Sequence, residues 1–290
     1  MNKTQNQAVL PLVSVMVPVY NGDKTLPLAI ASLLQQTYTN WKAIIVNDGS
    51  TDGTKAYLDS LTDPRFKVIH FEKNKGRPYA RQAALEAAEG KYLAFLDADD
   101  FYHPEKLEKQ VRLMEENPDV DLVSCANASF DSDFNLLTVR GKGVKKVQKF
   151  LLTNKLNCAL RTSILRLNKA KEIKFNLRLK HAQDTDFLSR YLDGNLYMIM
   201  PEVLYYYSEF VSVTGKKIIK TYKYSLLRTL NNFKAYPFFV IKESFVIILK
   251  TLLTVIILPI FGSEYLLKKR GIPPSGFEVD SFINCLNKIR

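Results

Sequence analysis

Three polar motifs, each directly after an apolar run, constrain this chain more than any other feature. "LVSVMVPV" leads into "YNG", "WKAIIV" into "NDGSTDGT", and "KYLAFL" into "DADD". The apolar runs are short and rich in β-branched residues, which predicts strands over 12–21, 41–48, 66–71, 91–97 and 120–126. Helical spacing in the intervals predicts helices near 25–36, 54–61, 78–88 and 104–116, with Pro104 in the first turn of the last. Regular strand–helix alternation with nearly continuous apolar strands predicts an α/β fold: a mostly parallel sheet with helices on both faces. Ligands of such sheets sit at the carboxyl ends of the strands, where the three motifs fall. Beyond residue 130 the pattern loosens. The 131–160 stretch is basic and irregular, followed by a helix near 184–193 and an apolar run at 196–207.

The densest negative charge lies in "FLDADDF", with Asp97, Asp99 and Asp100 crowded after a strand. Asp97 and Asp99 are two apart, so on extended backbone they point to one side. Two such carboxylates suit a hard divalent cation that fills its shell with water and phosphate oxygens. A solvated loop that caps the following helix is the competing reading of the same residues, and the motif alone leaves both open.

Five segments, "VSVMVPVYN", "IIVNDGSTDGT", "NKGRPYARQAA", "FLDADD" and "QDTDF", occur in the order and approximate spacing of family 2 glycosyltransferases. The resemblance covers roughly residues 12 to 210 and implies a GT-A fold of Rossmann-like character. It implies inverting transfer of a sugar from a UDP-sugar to an acceptor hydroxyl, with Mn²⁺ or Mg²⁺ as cofactor. On this resemblance Pro18, Tyr20, Asn21, Asp48, Arg81 and Asp97 are expected to bind the nucleotide, with Asp48 taking the uracil N–H. Asp99, partnered by Asp97, is expected to hold the metal, while Asp100 orders the loop. Asp184 is the implied general base, and Asp186 a supporting or helix-start residue. Gln82 stands where the family more usually has Asn, and Gln183 where it has Glu. Gln183, Tyr207, Ser212, Thr214 and Lys216 are the candidates for diphosphate or acceptor contact. The family's Arg after the tyrosines is missing, and Lys216 or Lys217 is the substitute considered.

The formal net charge is +12, and from residue 206 onward thirteen Lys/Arg face five Asp/Glu. A basic surplus points to an anionic partner. Beside it lies "FVIILKTLLTVIILPIF" (245–261), apolar apart from Lys250 and two threonines and near the shortest length that crosses a bilayer. Basic residues flank it on both sides, which disfavours a charge-asymmetric span. The expectation is therefore a helix at the membrane interface, attracted to anionic lipid, with a helix buried against the protein as the alternative. A lipid-linked or glycan acceptor suits that setting, as in surface-polysaccharide or glycolipid assembly.

The three cysteines, Cys125, Cys158 and Cys285, form no cluster, and "MNKTQNQAVLPL" has no signal-peptide core, so a cytoplasmic location at the inner membrane face is expected. The organisation expected is a flexible 1–11, a catalytic domain over 12–215 and a basic, apolar helical region over 216–290. A catalytically silent nucleotide-sugar-binding scaffold is the alternative function. Nucleic acid is not an expected partner, because the surplus charge adjoins an apolar helix instead of interleaving with exposed aromatics. No Gly-x-Gly-x-x-Gly follows the first strand, which disfavours a dinucleotide-dependent dehydrogenase.

Overall fold

The computed structural model describes residues 10–143, 145–209, 215–230, 232–268 and 271–290, with side chains described except at 215–218 and 261–268. The strands are β1 (Val13–Val19), β2 (Trp41–Asn47), β3 (Phe66–His70), β4 (Tyr92–Phe95), β5 (Phe101–Tyr102), β6 (Leu122–Phe130), β7 (Leu136–Arg140), β8 (Gln148–Lys149), β9 (Ile164–Arg166) and β10 (Leu196–Ser208). The helices are α1 (Leu26–Leu34), α2 (Thr54–Asp59), α3 (Arg77–Ala87), α4 (Lys106–Glu116), α5 (Leu167–Lys171), α6 (Gln183–Leu192), α7 (Gly215–Leu230), α8 (Pro237–Lys268) and α9 (Gly276–Ile289).

The strands form one sheet in the order β3-β2-β1-β4-β9-β6-β10-β5, with β7 beside β6 and β8 beside β10. β1 runs parallel to β2 and β4, and β2 parallel to β3. β9 is antiparallel to both β4 and β6, so the sheet is mixed although mostly parallel. The chain moves outward from β1 to β3, then returns to place β4 on the other side of β1. That reversal opens a crevice at the carboxyl ends of β1 and β4, the usual ligand position in open α/β sheets.

Period-two alternation sends β-strand side chains to two cores. Val13, Val15, Val17 and Val19 of β1 and Ala43 and Ile45 of β2 pack with α1, α2 and α4. Met16, Ile44 and Val46 face the other way, onto α3, α5 and α6. Both faces are therefore covered, as the continuous apolar runs require.

Several boundaries differ from those read in the sequence. The last of the predicted helices begins at Lys106, after Pro104, because the dipeptide Phe101–Tyr102 is drawn into the sheet as β5 against β10. The irregular 131–160 stretch yields β7 and the two-residue β8, and β9 and α5 follow it; all are short elements stabilised by pairing and packing. The run at 196–207 is a thirteen-residue strand, β10.

The region beyond 215 does not behave as a single appendage. Phe282, Cys285, Leu286 and Ile289 of α9 pack against Phe101, Phe130, Val139 and Tyr206 of the sheet. Ile272 pairs with Val139 through reciprocal N–H···O bonds. α8 is different: a 24-residue stretch, Pro237–Ile260, has mean hydropathy 2.1 with 11% of its most apolar window buried. By length and composition it is long enough to cross a membrane. The apolar stretch starts eight residues before the expected 245, and the helix continues past Pro259. One side of the helix packs on α7, with Val240, Ile247 and Thr254 buried, while most of its apolar surface stays exposed.

Candidate active site

The crevice is a cleft of about 480 Å³ lined by Pro18, Tyr20, Asn21, Asp48, Arg77, Asp97 and Asp99, among others. Its floor is laced together by loop-to-loop hydrogen bonds. Asn21 adopts a left-handed backbone (φ 52°), and its Oδ1 accepts the Thr51 N–H at 2.9 Å while its own N–H donates to Ser50 Oγ at 2.9 Å. The Gly22 N–H donates to Thr54 Oγ1 at 2.8 Å. The "YNG" and "DGSTDGT" turns are thus one unit, and Tyr20 stands above it with half of its surface exposed (50%).

Asp48 is almost fully buried, and its carboxylate accepts the Lys75 N–H at 2.7 Å and the Gly76 N–H at 2.9 Å. Each oxygen takes one backbone donor and keeps a lone pair for another. The approach of the 73–76 loop depends on Gly49, with φ +66° and a backbone so close that an added Cβ would lie 2.3 Å from the Lys73 carbonyl carbon.

The three aspartates of "DADD" separate by environment. Arg81 Nη2 donates to Asp97 Oδ1 at 3.0 Å. Burial acts against ionised Asp97, but Arg81, Arg77 and Arg161 outweigh it and hold its carboxyl below the ordinary value. Burial and the neighbouring Asp97 charge push Asp99 above its ordinary value. Asp100 is fully buried and points away from the cleft, accepting the Tyr205 hydroxyl at 2.6 Å and the Ser208 N–H at 2.9 Å. It fastens the loop to β10.

Asp97 and Asp99 fit a hard divalent cation. Both line the cleft with their carboxylates, and Asp99, pushed up first by burial and then by the Asp97 charge, would gain from a cation beside it. Among the described residues no group of three or more His, Cys, Asp or Glu side chains forms a complete metal nest. Two carboxylates plus diphosphate oxygens and water match the ligand habits of Mg²⁺ or Mn²⁺.

Asp184 lies in the first turn of α6, which starts after a left-handed Ala182 (φ 58°). No side chain caps this helix, so Asp184 is not its N-cap; among the described residues its Oδ1 accepts the adjacent Thr185 N–H at 2.9 Å and no other hydrogen bond. Gln183 is buried, with its Oε1 lacking a partner among the described residues. Asp186 turns away from the cleft to Arg190, at 2.6 Å. Gln82 bridges elsewhere: its Oε1 accepts the Phe175 N–H at 2.9 Å, pinning the segment that leads to α6.

Arg77 connects the parts. The charges of Asp97, then Asp99, Asp184 and Asp100, raise its pKa, so the carboxylates of two motifs distant in sequence act on one guanidinium. The sequence reading passed over Arg77, although a signal existed: a cation in the first turn of a helix opposes the helix dipole, and here nearby carboxylates compensate it. Arg161 was also missed. It arrives from a 3-10 turn, and its guanidinium carbon lies 4.2 Å from the centre of the Tyr207 ring. A guanidinium therefore does sit against the tyrosines, from upstream of them instead of downstream. No periodicity announces it, because that turn is placed at the site by its contacts with β4, β6 and α6. Ser212 and Thr214 lie outside the described residues, as does the side chain of Lys216.

A profile of the family described as "Glycosyl transferase family 2" matches residues 14–173, more than half of the chain. This chain belongs to glycosyltransferase family 2. The putative teichuronic acid biosynthesis glycosyltransferase TuaG of Bacillus subtilis (strain 168) is 45% identical over 108 residues, covering 37% of this chain and 43% of that protein. WfgD of Escherichia coli, a UDP-Glc:alpha-D-GlcNAc-diphosphoundecaprenol beta-1,3-glucosyltransferase, is 41% identical over 106 residues, covering 37% and 42%. These matches span less than half the length of either relative. The fold is that of S. aureus TarS 1-349, solved with UDP-GlcNAc, with TM-score 0.60 at 23% identity over 96% of this chain and 80% of that one.

Proposed function

We propose that this family 2 member is an inverting, metal-dependent glycosyltransferase that moves a sugar from a UDP-sugar to an acceptor hydroxyl at the cytoplasmic membrane face, in cell-surface polysaccharide assembly. The observation that carries the reading is that Asp48, Arg77, Asp97 and Asp99 line one cleft, with the charge of Asp184 also acting on Arg77. The UDP-glucose and lipid-diphosphate acceptor in the name of WfgD, and the teichuronic acid in that of TuaG, support the choice of donor, acceptor and pathway class.

The nucleotide lies across the fused "YNG" and "DGSTDGT" floor. Tyr20 offers its exposed ring to the base, and the free lone pairs of Asp48 accept from the ring N–H. Asp97 and Asp99 would hold Mn²⁺ or Mg²⁺, which when bound supplies positive charge against the diphosphate that leaves. Arg77 adds fixed positive charge on the same side. Asp184, carrying only one backbone hydrogen bond, keeps lone pairs free to take the proton from the acceptor oxygen. That oxygen attacks the anomeric carbon on the face opposite the departing diphosphate, so one base and one displacement give inversion.

α8 supports the membrane setting. Phe238, Ile241, Phe245, Ile256 and Ile260 are each at least 60% exposed, a larger apolar surface than a soluble chain normally leaves in water. Lysines before it and at its end favour attraction to anionic lipid.

The test is to incubate the full chain with a panel of UDP-sugars, Mn²⁺ and a GlcNAc-diphospho-prenol acceptor, and to compare Asp184→Asn. Transfer by the wild type, and its loss in a variant that still binds UDP, is the expected result. Undiminished transfer by Asp184→Asn removes the catalytic base from this reading.

A further inference from the structure

A second cavity, of about 510 Å³, shares no lining residue with the donor cleft and takes in Thr185, next to Asp184 in the first turn of α6. Its walls are the 150–156 segment, Thr185 and Ser189 of α6, the end of α7 and one face of α8. Four cations line it, Lys155, Arg228, Lys242 and Lys250, against one carboxylate, Glu243. Among the described residues none of the four has an ion-pair partner.

Arg228 is anchored there: Nη1 donates to Ser189 Oγ at 3.1 Å, while its buried Nε has no partner among the described residues. Burial lowers its pKa, opposed by the charges of Asp186, Glu243 and Asp184, so the base candidate is within electrostatic reach of this cavity.

Helix geometry links the cavity to the apolar surface. Phe239, Lys242, Glu243, Val246 and Lys250 follow 3.6-residue spacing and share one face of α8. The exposed Phe238, Ile241, Phe245, Leu252 and Ile256 form the adjoining face, with Lys242 on the boundary. Lys250, the one charge within the apolar 245–261 run, lines the cavity.

We propose that this cavity receives the diphosphate of a lipid-linked acceptor, whose tail leaves along the exposed face of α8 and whose sugar reaches Asp184 over the first turn of α6. The inference rests on the glycosyltransferase reading above and assigns its acceptor a place. The excess of three cations matches a diphosphate diester, with a charge on each phosphorus, better than the single charge of a bilayer phospholipid. A cavity walled by α6, α7 and α8, with Thr185 next to Asp184 in its lining, also suits a substrate.

The test measures binding of farnesyl diphosphate to the full chain in detergent, with inorganic diphosphate and UDP as competitors. Binding of phosphatidylglycerol vesicles is followed in parallel. Saturable binding, competed by inorganic diphosphate and not by UDP at concentrations that fill the donor cleft, is expected. The double variant Lys242→Gln/Lys250→Gln should weaken it at least tenfold, and Lys242→Arg/Lys250→Arg should restore it. Absent binding, displacement by UDP, or an unchanged double variant overturns the assignment. So does a double variant that loses only vesicle binding, which would make the lysines a general anionic-lipid surface. UDP binding without farnesyl diphosphate binding sinks this inference alone; farnesyl diphosphate binding without UDP binding keeps the cavity and sinks the donor reading.

Discussion

Arg81 and Asp97 form a hydrogen-bonded ion pair across 3.0 Å that joins α3 to the carboxyl end of β4. Arg81 is 3% exposed, and the Asp97 side chain 19%. The pair fixes the orientation of an aspartate that lines the cleft, and it ties the "GRPYARQ" and "DADD" motifs together.

Removing one partner should therefore cost more than removing both. Arg81→Met leaves Asp97 as a poorly compensated, mostly buried charge and should destabilise by about 3 kcal/mol. The double variant Arg81→Met/Asp97→Asn should cost less than the sum of the singles. Urea unfolding followed by the fluorescence of the chain's single tryptophan, the buried Trp41, measures the coupling. Strict additivity would show that the pair carries no coupling.

Gly49→Ala should damage both stability and donor binding. A left-handed conformation costs an L-residue about 1–2 kcal/mol, and the added methyl meets backbone of the 73–74 segment, which cannot rotate aside. The loop must retreat, taking with it the Lys75 and Gly76 N–H groups that hold Asp48. Calorimetry and UDP titration on the same variant check the two effects.

Asp99→Asn should abolish the dependence of UDP binding on Mn²⁺ while leaving the fold intact. Asp99 is partly exposed in the cleft and pushed above its ordinary pKa by burial and by Asp97, so neutralising it relieves repulsion. Thermal stabilisation by UDP, with and without Mn²⁺, reads this directly. Unaltered Mn²⁺ dependence would assign the metal elsewhere.

Lys106 gives a pH signature unrelated to the site. It is fully buried, its Nζ donating to Gln110 Oε1 at 2.8 Å and lying 4.1 Å from the Tyr102 ring centre. Burial lowers its pKa from 10.5 to about 8. Below about pH 8 both folded and unfolded states are charged, and the folded state carries the desolvation cost. Between pH 8 and 10.5 the folded state sheds that cost first, so this residue makes stability rise with pH, by about 3 kcal/mol at most. The difference between wild type and Lys106→Met in unfolding free energy should show that rise. A flat difference from pH 7 to 10 contradicts it.

Replacing Phe238, Phe245 and Ile256 together by Ser should release the protein from membranes in a flotation assay, because all three lie on the exposed face of α8. Retention of the triple variant would locate the attachment elsewhere.

Much of the sheet was legible because continuous β-branched runs leave few alternatives to a two-faced strand. Asp48, Asp97 and Asp99 were legible for a related reason, since each follows such a run and so falls at the carboxyl edge. β5 and β9 were not, because two or three residues carry no period; they are strands only by virtue of β4, β6 and β10 beside them. Arg161 escaped for the same reason.

The amino-acid sequence by itself determined the alternation of strands and helices, the polar motif at each strand end, and the basic, apolar character of the C-terminal third. Those are local properties, set by periodicity, turn chemistry and charge. Tertiary structure alone decided that the charges of Asp97, Asp99 and Asp184 act together on Arg77, that Asp100 turns inward to Tyr205 and Ser208, and that α9 returns to the sheet. It also decided that Lys250 faces a cavity. Each depends on which distant surfaces meet once the core closes, and no local pattern encodes that.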